Sequence, residues 1–153
     1  MTEKPIYVLN GTNLNLLGER EPHIYGYTTL ADIEASCLAT SAAAAHGIVF
    51  RQSNHEGVLI DWIHEARRAA DAVVINAGAL THTSIAIHDA LKAFAGPVIE
   101  LHITNVHRRE SFRHHSYISF AATAVICGLG AEGYAVAVEQ AARLAVSGKR
   151  VAV

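Results

Sequence analysis

The sequence predicts a single α/β domain, residues 1–153, built on a five-stranded parallel sheet with helices on both faces. Short runs rich in Val, Ile and Leu alternate five times with segments whose apolar residues recur at helical spacing. The runs are apolar from end to end, as strands covered on both faces are. With 153 residues, 51% of them apolar and 17% charged, the chain is long enough to bury about 70% of its unfolded surface in one core.

The first strand covers residues 6–9, Ile-Tyr-Val-Leu. A connection running through residues 10–26 separates it from a helix start at Thr28-Thr29, well beyond the usual ~2–6 residues of an α/β unit. Loops this long are binding loops, lids or disordered. Leu14, Leu16, Leu17 and Ile24 supply apolar anchors that argue against disorder. Gly18 and Gly26 bracket Arg20 and Tyr25 as hinges, so the segment reads as an active-site lid. The first helix is expected over 29–46, with Leu30, Ile33, Cys37 and Leu38 in phase and Gly47 as its stop. The second strand covers 48–51. Ser53-Asn-His-Glu56 has the spacing of a capping box opening the second helix, whose Leu59, Trp62, Ile63 and Ala66 share a face. The third strand covers 72–75, and Thr83 or Ser84 caps a helix with Ile87, Leu91 and Phe94 inward, ended by Gly96-Pro97. The fourth strand covers 98–101, the fifth 124–126, and a last helix 132–147 turns Ala137, Ala141, Leu144 and Ala145 inward.

By analogy with doubly wound sheets, the expected strand order is 2-1-3-4-5, flavodoxin-like and three-layered. Ligands of such sheets sit beyond the carboxyl ends of the strands, where the order reverses. The polar motifs follow strands one, three and four, which are neighbours in that order. The lid, the loop from Asn76 to Ser84 and the loop from His102 to Arg113 should therefore meet in one crevice. The loop after strand two, Ser53-Asn54-His55, belongs on the far side of strand one.

Composition removes several function classes. A formal charge of −2 argues against nucleic acid as a partner. No apolar run approaches the ~18 residues of a membrane span, and the first residues lack a signal peptide's apolar core. The two cysteines, Cys37 and Cys127, read as buried free thiols and suit a cytoplasmic protein.

The crevice inventory is Asn13, Asn15, Arg20, Tyr25, Asn76, His82, His102, Arg109 and Arg113. The only lysines are Lys4, Lys92 and Lys149, none in a crevice loop, so an imine mechanism has no nucleophile. Ten histidines do not make a metal site. His102 and His107 are five apart, His114 and His115 point oppositely in extended chain, and no Cys or carboxylate cluster joins them. No glycine-rich phosphate loop is present, and no cofactor is implied. What remains is proton transfer. His102 ends strand four with Glu100 two residues earlier on the same face, a spacing that lets a carboxylate steady the imidazole. His55, His64, His107, His114 and His115 read as surface or structural.

The motifs also carry a resemblance. Asn13-Leu-Asn-Leu-Leu-Gly18, Arg20-Glu-Pro22 and Tyr25-Gly26 resemble the opening of the type II 3-dehydroquinate dehydratases. Asn76-Ala-Gly-Ala-Leu-Thr-His82-Thr-Ser and Glu100-Leu-His102-Ile-Thr-Asn-Val-His-Arg-Arg109-Glu-Ser-Phe-Arg113 continue the match in the right order, over nearly the whole chain. Thr12 stands where the family usually has proline and Ala79 where glycine is common; Thr12 is expected to loosen the turn before Asn13.

The resemblance implies a cofactor-free hydro-lyase that eliminates water from 3-dehydroquinate through an enolate to give 3-dehydroshikimate. Tyr25 is then the base. Free tyrosine has a pKa near 10, so work at neutral pH needs a drop of roughly 3 units, about 4 kcal/mol. A guanidinium at about 4 Å in a partly shielded site supplies that order of energy; Arg20 and Arg109 are both candidates. His102 is the acid, and Asn13 stabilises the enolate, directly or through a water. The resemblance further implies that Asn76, His82 and Arg113 bind substrate and that the backbone amides of Ile103 and Thr104 take its carboxylate. Asp89 would serve a neighbouring protomer's site, in a trimer that assembles into a homododecamer.

Two other readings stay open: a flavodoxin-like module that binds an anionic metabolite without turnover, and a hydrolase or transferase with Ser84 as nucleophile. A binding module needs neither a base at position 25 nor an acid at position 102.

Overall fold

The computed structural model describes residues 3–147, with side-chain surroundings up to residue 146. Lys149 and the apolar tail Val151 to Val153 lie outside the described residues. Five parallel strands, β1 (Ile6–Asn10), β2 (Ile48–Gln52), β3 (Ala72–Asn76), β4 (Val98–His102) and β5 (Ala124–Cys127), lie in the order β2-β1-β3-β4-β5. This is the flavodoxin-like order expected. Each strand extends about one residue beyond its apolar run, into Asn10, Gln52, Asn76, His102 and Cys127, so the first side chains of the motif loops are held by the sheet itself.

The helices are α1 (Pro22–Tyr25), α2 (Leu30–Leu38), α3 (Ser41–His46), α4 (Glu56–Ala69), α5 (Ile85–Lys92) and α6 (Gly133–Ser147). Successive strand residues point to opposite faces, which splits the core in two. Ile6, Val8, Val74, Ile99 and Leu101 pack under α2, α3 and α6 against Ile33, Tyr134, Ala137 and Ala141. Tyr7, Leu9, Val73, Ile75 and Val98 pack under α4 and α5 against Leu59, Ile63, Ile87, Leu91 and Phe94. Each fully buried Ile or Leu contributes roughly 1.5–3 kcal/mol, so covering both faces is what makes uniformly apolar strands stable.

Three local expectations are corrected. The helix expected over 29–46 is two helices, because Thr40 is extended (φ −77°, ψ 156°), donates its hydroxyl to Cys37 O at 2.7 Å and accepts from Ala43 N at 3.1 Å. One side chain thus ends α2 and caps α3. Ser53 and Glu56 form no reciprocal capping box; His55 is the N-cap of α4, and the Ser53 hydroxyl accepts from His55 N at 3.0 Å. Of the thiols, Cys37 is buried and pushed up to about 12 by burial, while Cys127 is only half-buried. Ser84 caps α5, its hydroxyl accepting from Ile87 N at 2.9 Å. No helix among the described residues is long and apolar enough to cross a membrane.

Candidate active site

At the carboxyl edge of the sheet, Asn10 of β1 pairs in register with Asn76 of β3. Both side chains are buried and joined through one phenol: Tyr134 OH donates to Asn10 Oδ1 at 2.7 Å and accepts from Asn76 Nδ2 at 2.9 Å. Burial raises the Tyr134 hydroxyl far above its ordinary range, so this chain stays neutral and structural. Beyond it the loops after β1 and β3 press together. Gly11 N donates to Asn76 O at 2.7 Å, and a Cβ on Gly11 would lie 2.2 Å from Ala77 O, so only glycine fits. Thr12 does not loosen this turn; its hydroxyl accepts from Ala79 N at 3.2 Å and ties the two loops.

Asn13 follows in the left-handed region at φ 67°, a strained place for a residue with a Cβ. It is held there from an unexpected direction. Asn54, in the loop after β2, accepts from Asn13 N at 2.9 Å and from Gln52 Nε2 at 3.1 Å. That loop therefore braces the start of the lid, although none of residues 52–55 lines the cleft. The lid continues through a 3-10 turn, Leu14–Leu16, and α1. Leu14 and Leu17 are its buried anchors, whereas Leu16 and Ile24, expected to share that task, are exposed. Gly18 and Gly26 sit at φ 89° and 80°, where the chain turns on either side of Arg20 and Tyr25.

The lid, the loop after β3 and the loop after β4 close one cleft. Asn13, Arg20, Tyr25, Asn76, His82, His102, Ile103, Thr104, Arg109 and Arg113 all line it. Two arginines flank the tyrosine: the guanidinium carbon of Arg109 lies 5.2 Å from the Tyr25 ring centroid and that of Arg20 5.3 Å. Their surroundings differ. The Arg109 side chain is 14% exposed and donates to Thr104 Oγ1 at 3.3 Å, with Glu110 at 3.6 Å; Arg20 is 36% exposed, with Glu21 at 3.4 Å. Arg113 is held by Glu110 at 2.8 Å, a bond that keeps the Glu110 carboxyl below its ordinary range.

At the end of β4, His102 Nε2 is 2.5 Å from Glu100 Oε2. Burial of Glu100 pushes its carboxyl up, but the His102 bond, the charge of His102 and the hydroxyls of Ser119 and Ser116 together hold it below the usual range. His82 stacks over His102 with ring centroids 6.4 Å apart, and its Nδ1 is 2.7 Å from His115 O. Burial and the neighbouring His102 and Arg113 depress its pKa, against the His115 bond and Glu100. His82 is therefore a neutral imidazole that donates from Nδ1 and offers Nε2 to a ligand.

Asn15 is exposed and outside the cleft wall. Asp89 lies on α5 with 72% of its side chain exposed, bonded to His88 Nδ1 at 3.0 Å and away from its own chain's cleft. Ser84 is 2% exposed and occupied as a helix cap, which disqualifies it as a nucleophile. His55, His64, His107, His114 and His115 are exposed. Sequence spacing missed the roles of Asn54, Tyr134, Ser116 and Ser119, since their partners are far along the chain; it reads Asn54 only as part of the loop and capping box after strand two. Among the described residues one cluster, Glu3, His46 and Asp71, has metal-ligating groups together. It lies at the far end of the sheet, where His46 Nδ1 is already within hydrogen-bond distance of Lys4 O and Asp71 Oδ2, both at 3.2 Å, with Glu3 Oε2 at 3.1 Å.

The cleft thus offers three guanidiniums for an anion, a phenol with two of them near its ring, and a carboxylate-backed imidazole. Residues 4–142 match the family model described as Dehydroquinase class II. The chain is 65% identical over 130 residues to 3-dehydroquinate dehydratase 2 of Agrobacterium fabrum, covering 85% of this chain and 88% of that one. It is 59% identical over 143 residues to a 3-dehydroquinate dehydratase of Cereibacter sphaeroides, covering 94% and 97%. Its fold superposes on the crystal structure of a type II dehydroquinase from Propionibacterium acnes with TM-score 0.87 at 43% identity, over 93% of this chain and 98% of that chain. Sequence, fold and the contents of the cleft agree: the chain belongs to the class II dehydroquinase family.

Proposed function

We propose that this chain is a 3-dehydroquinate dehydratase, a hydro-lyase of the shikimate or quinate route that works by proton transfer between side chains alone. The observation that carries the reading is that Tyr25, with two guanidinium carbons 5.2 and 5.3 Å from its ring centroid, lines the same cleft as His102, which is paired with Glu100. Tyr25, as phenolate, takes a proton from the carbon beside the ketone, and the electron pair moves onto the carbonyl oxygen as an enolate. Asn13 holds that oxygen through its amide or a bound water, polarising it without quenching the base. His102 gives its proton to the β-hydroxyl; the C–O bond breaks, the enolate collapses, and water and the enone leave.

Arg109 and Arg20 stabilise the phenolate. Arg113, His82 and Asn76 orient the substrate hydroxyls, and the amides of Ile103 and Thr104 hold its carboxylate. Three arginines in one cleft favour an anionic substrate. Asp89, exposed on α5, serves the site of an adjacent protomer in a trimer, and trimers assemble into a dodecamer in the cytoplasm.

Adding 3-dehydroquinate should produce the ultraviolet absorbance of a conjugated enone. Tyr25→Phe should lower that rate by about 10²–10⁴ while ligand binding and fold persist. A variant keeping a tenth of the wild-type rate would remove Tyr25 as the base. Borohydride with substrate should add no mass, and a stable adduct on any lysine would replace the enolate with an imine. Binding of 3-dehydroquinate without any enone would instead mark a binding module.

A further inference from the structure

We propose that Ser116 and Ser119 are positioning residues for this reaction, holding the Glu100 carboxylate in the orientation that aims the His102 imidazole. The proposal rests on the reading of His102 as the acid. Glu100 is 2% exposed, so little water solvates its charge. Its donors come from protein instead. Oε2 is met by His102 Nε2 at 2.5 Å and by Ser116 Oγ at 2.9 Å, and Oε1 by Ser119 Oγ at 2.6 Å. Both oxygens are engaged, which fixes the plane of the carboxylate and with it the tilt of the imidazole.

The serines are themselves directed. Ser119 N donates to Ser116 Oγ at 3.1 Å, occupying a lone pair and leaving the one hydroxyl hydrogen of Ser116 for Glu100. Between them Tyr117 N donates to Thr81 O at 3.0 Å, pinning the segment to the turn that carries His82. The pair is thus placed by backbone bonds independent of the carboxylate. Neither serine lines the cleft beside Tyr25. Without them a buried carboxylate would keep His102 as its one donor, free to turn about its last bond and readier to take a proton. The lowered carboxyl of Glu100, against its burial, agrees with this balance. The other titratable or charged groups around the Glu100 hollow are His82, Arg113, His107, His114 and His115, with His88 of α5 edge-on to Phe120.

The test compares wild type, Ser116→Ala/Ser119→Ala, the same pair as threonines, Glu100→Gln and the triple variant, with His102→Asn as control. The alanine pair should lower kcat about 10- to 100-fold with KM within about threefold. The acid limb of its kcat profile should move up in pH, because Glu100 takes a proton more readily without the two hydroxyl donors. The threonine pair should restore most of the rate, and in the Glu100→Gln background the alanine changes should cost little more. A merely structural role would lower Tm without moving the acid limb and would add to Glu100→Gln. Unchanged kcat and acid limb in the alanine pair, with His102→Asn inactive, overturns the proposal alone. An active His102→Asn overturns the reading beneath it as well. If the alanine pair does not fold, Ser119→Ala, which removes only the donor to Oε1, is read by the same criteria.

Discussion

Arg109 and Arg20 stand at nearly equal distances from Tyr25, yet they should not matter equally. A guanidinium about 5 Å from a phenolate contributes about 3 kcal/mol at an effective dielectric of about 20, and the Arg109 guanidinium carbon lies 5.2 Å from the Tyr25 ring centroid. Glu110, 3.6 Å from Arg109, cancels part of this and leaves about 2 kcal/mol, or roughly 30-fold in rate. Arg20 has the same geometry, but more than a third of its side chain is exposed and Glu21 lies 3.4 Å away. Water and countercharge reduce its share to about 1 kcal/mol, roughly fivefold. Arg109 is also tied to Thr104 Oγ1, so its charge stays in place between turnovers. The assay is steady-state enone formation by Arg109→Ala, Arg20→Ala and Arg109→Lys from pH 6 to pH 10. Arg109→Ala should lose about 30-fold in kcat at neutral pH, Arg20→Ala about fivefold, and Arg109→Lys should fall between wild type and Arg109→Ala. A larger loss from Arg20→Ala than from Arg109→Ala would refute burial as the deciding factor.

Further tests follow from the lid, the loop after β2 and α5. Asn54→Ala removes the acceptor that holds Asn13 at φ 67° and should lower kcat about tenfold with KM little changed, while Asn54→Asp, still an acceptor, should retain most activity. Wild-type kcat in Asn54→Ala would mean that the left-handed turn holds itself. Residues 18–26 should gain hydrogen-exchange protection with a saturating ligand, since Tyr25 is half-buried and Ile24 exposed without one; equal protection would argue against a closing lid. Mixing Asp89→Asn chains with Tyr25→Phe chains should restore activity beyond either alone, by pairing an intact Tyr25 with a neighbour's intact Asp89. A fully active monomer would end that idea.

The sequence by itself determined the class of fold, the strand order by analogy and the three loops that meet in the cleft. Burial is a local, periodic demand: Ile87 and Leu91 declare the inner face of α5 wherever the rest of the chain goes, with Phe94 just past its end, and all three are buried. The polar motifs were legible because each follows a strand whose position the pattern already set. The break at Thr40 was not, since apolar spacing continues through Ala42 and only hydroxyl bonds divide the helix. Tertiary structure alone decided how the site is held. Asn54 grips Asn13 across 41 residues, Ser116 and Ser119 reach Glu100 across 16 and 19, and Tyr134 joins Asn10 across 124. A hydrogen bond depends on where two atoms meet and leaves no period in the chain, so these supports appear only once the sheet has brought the loops together.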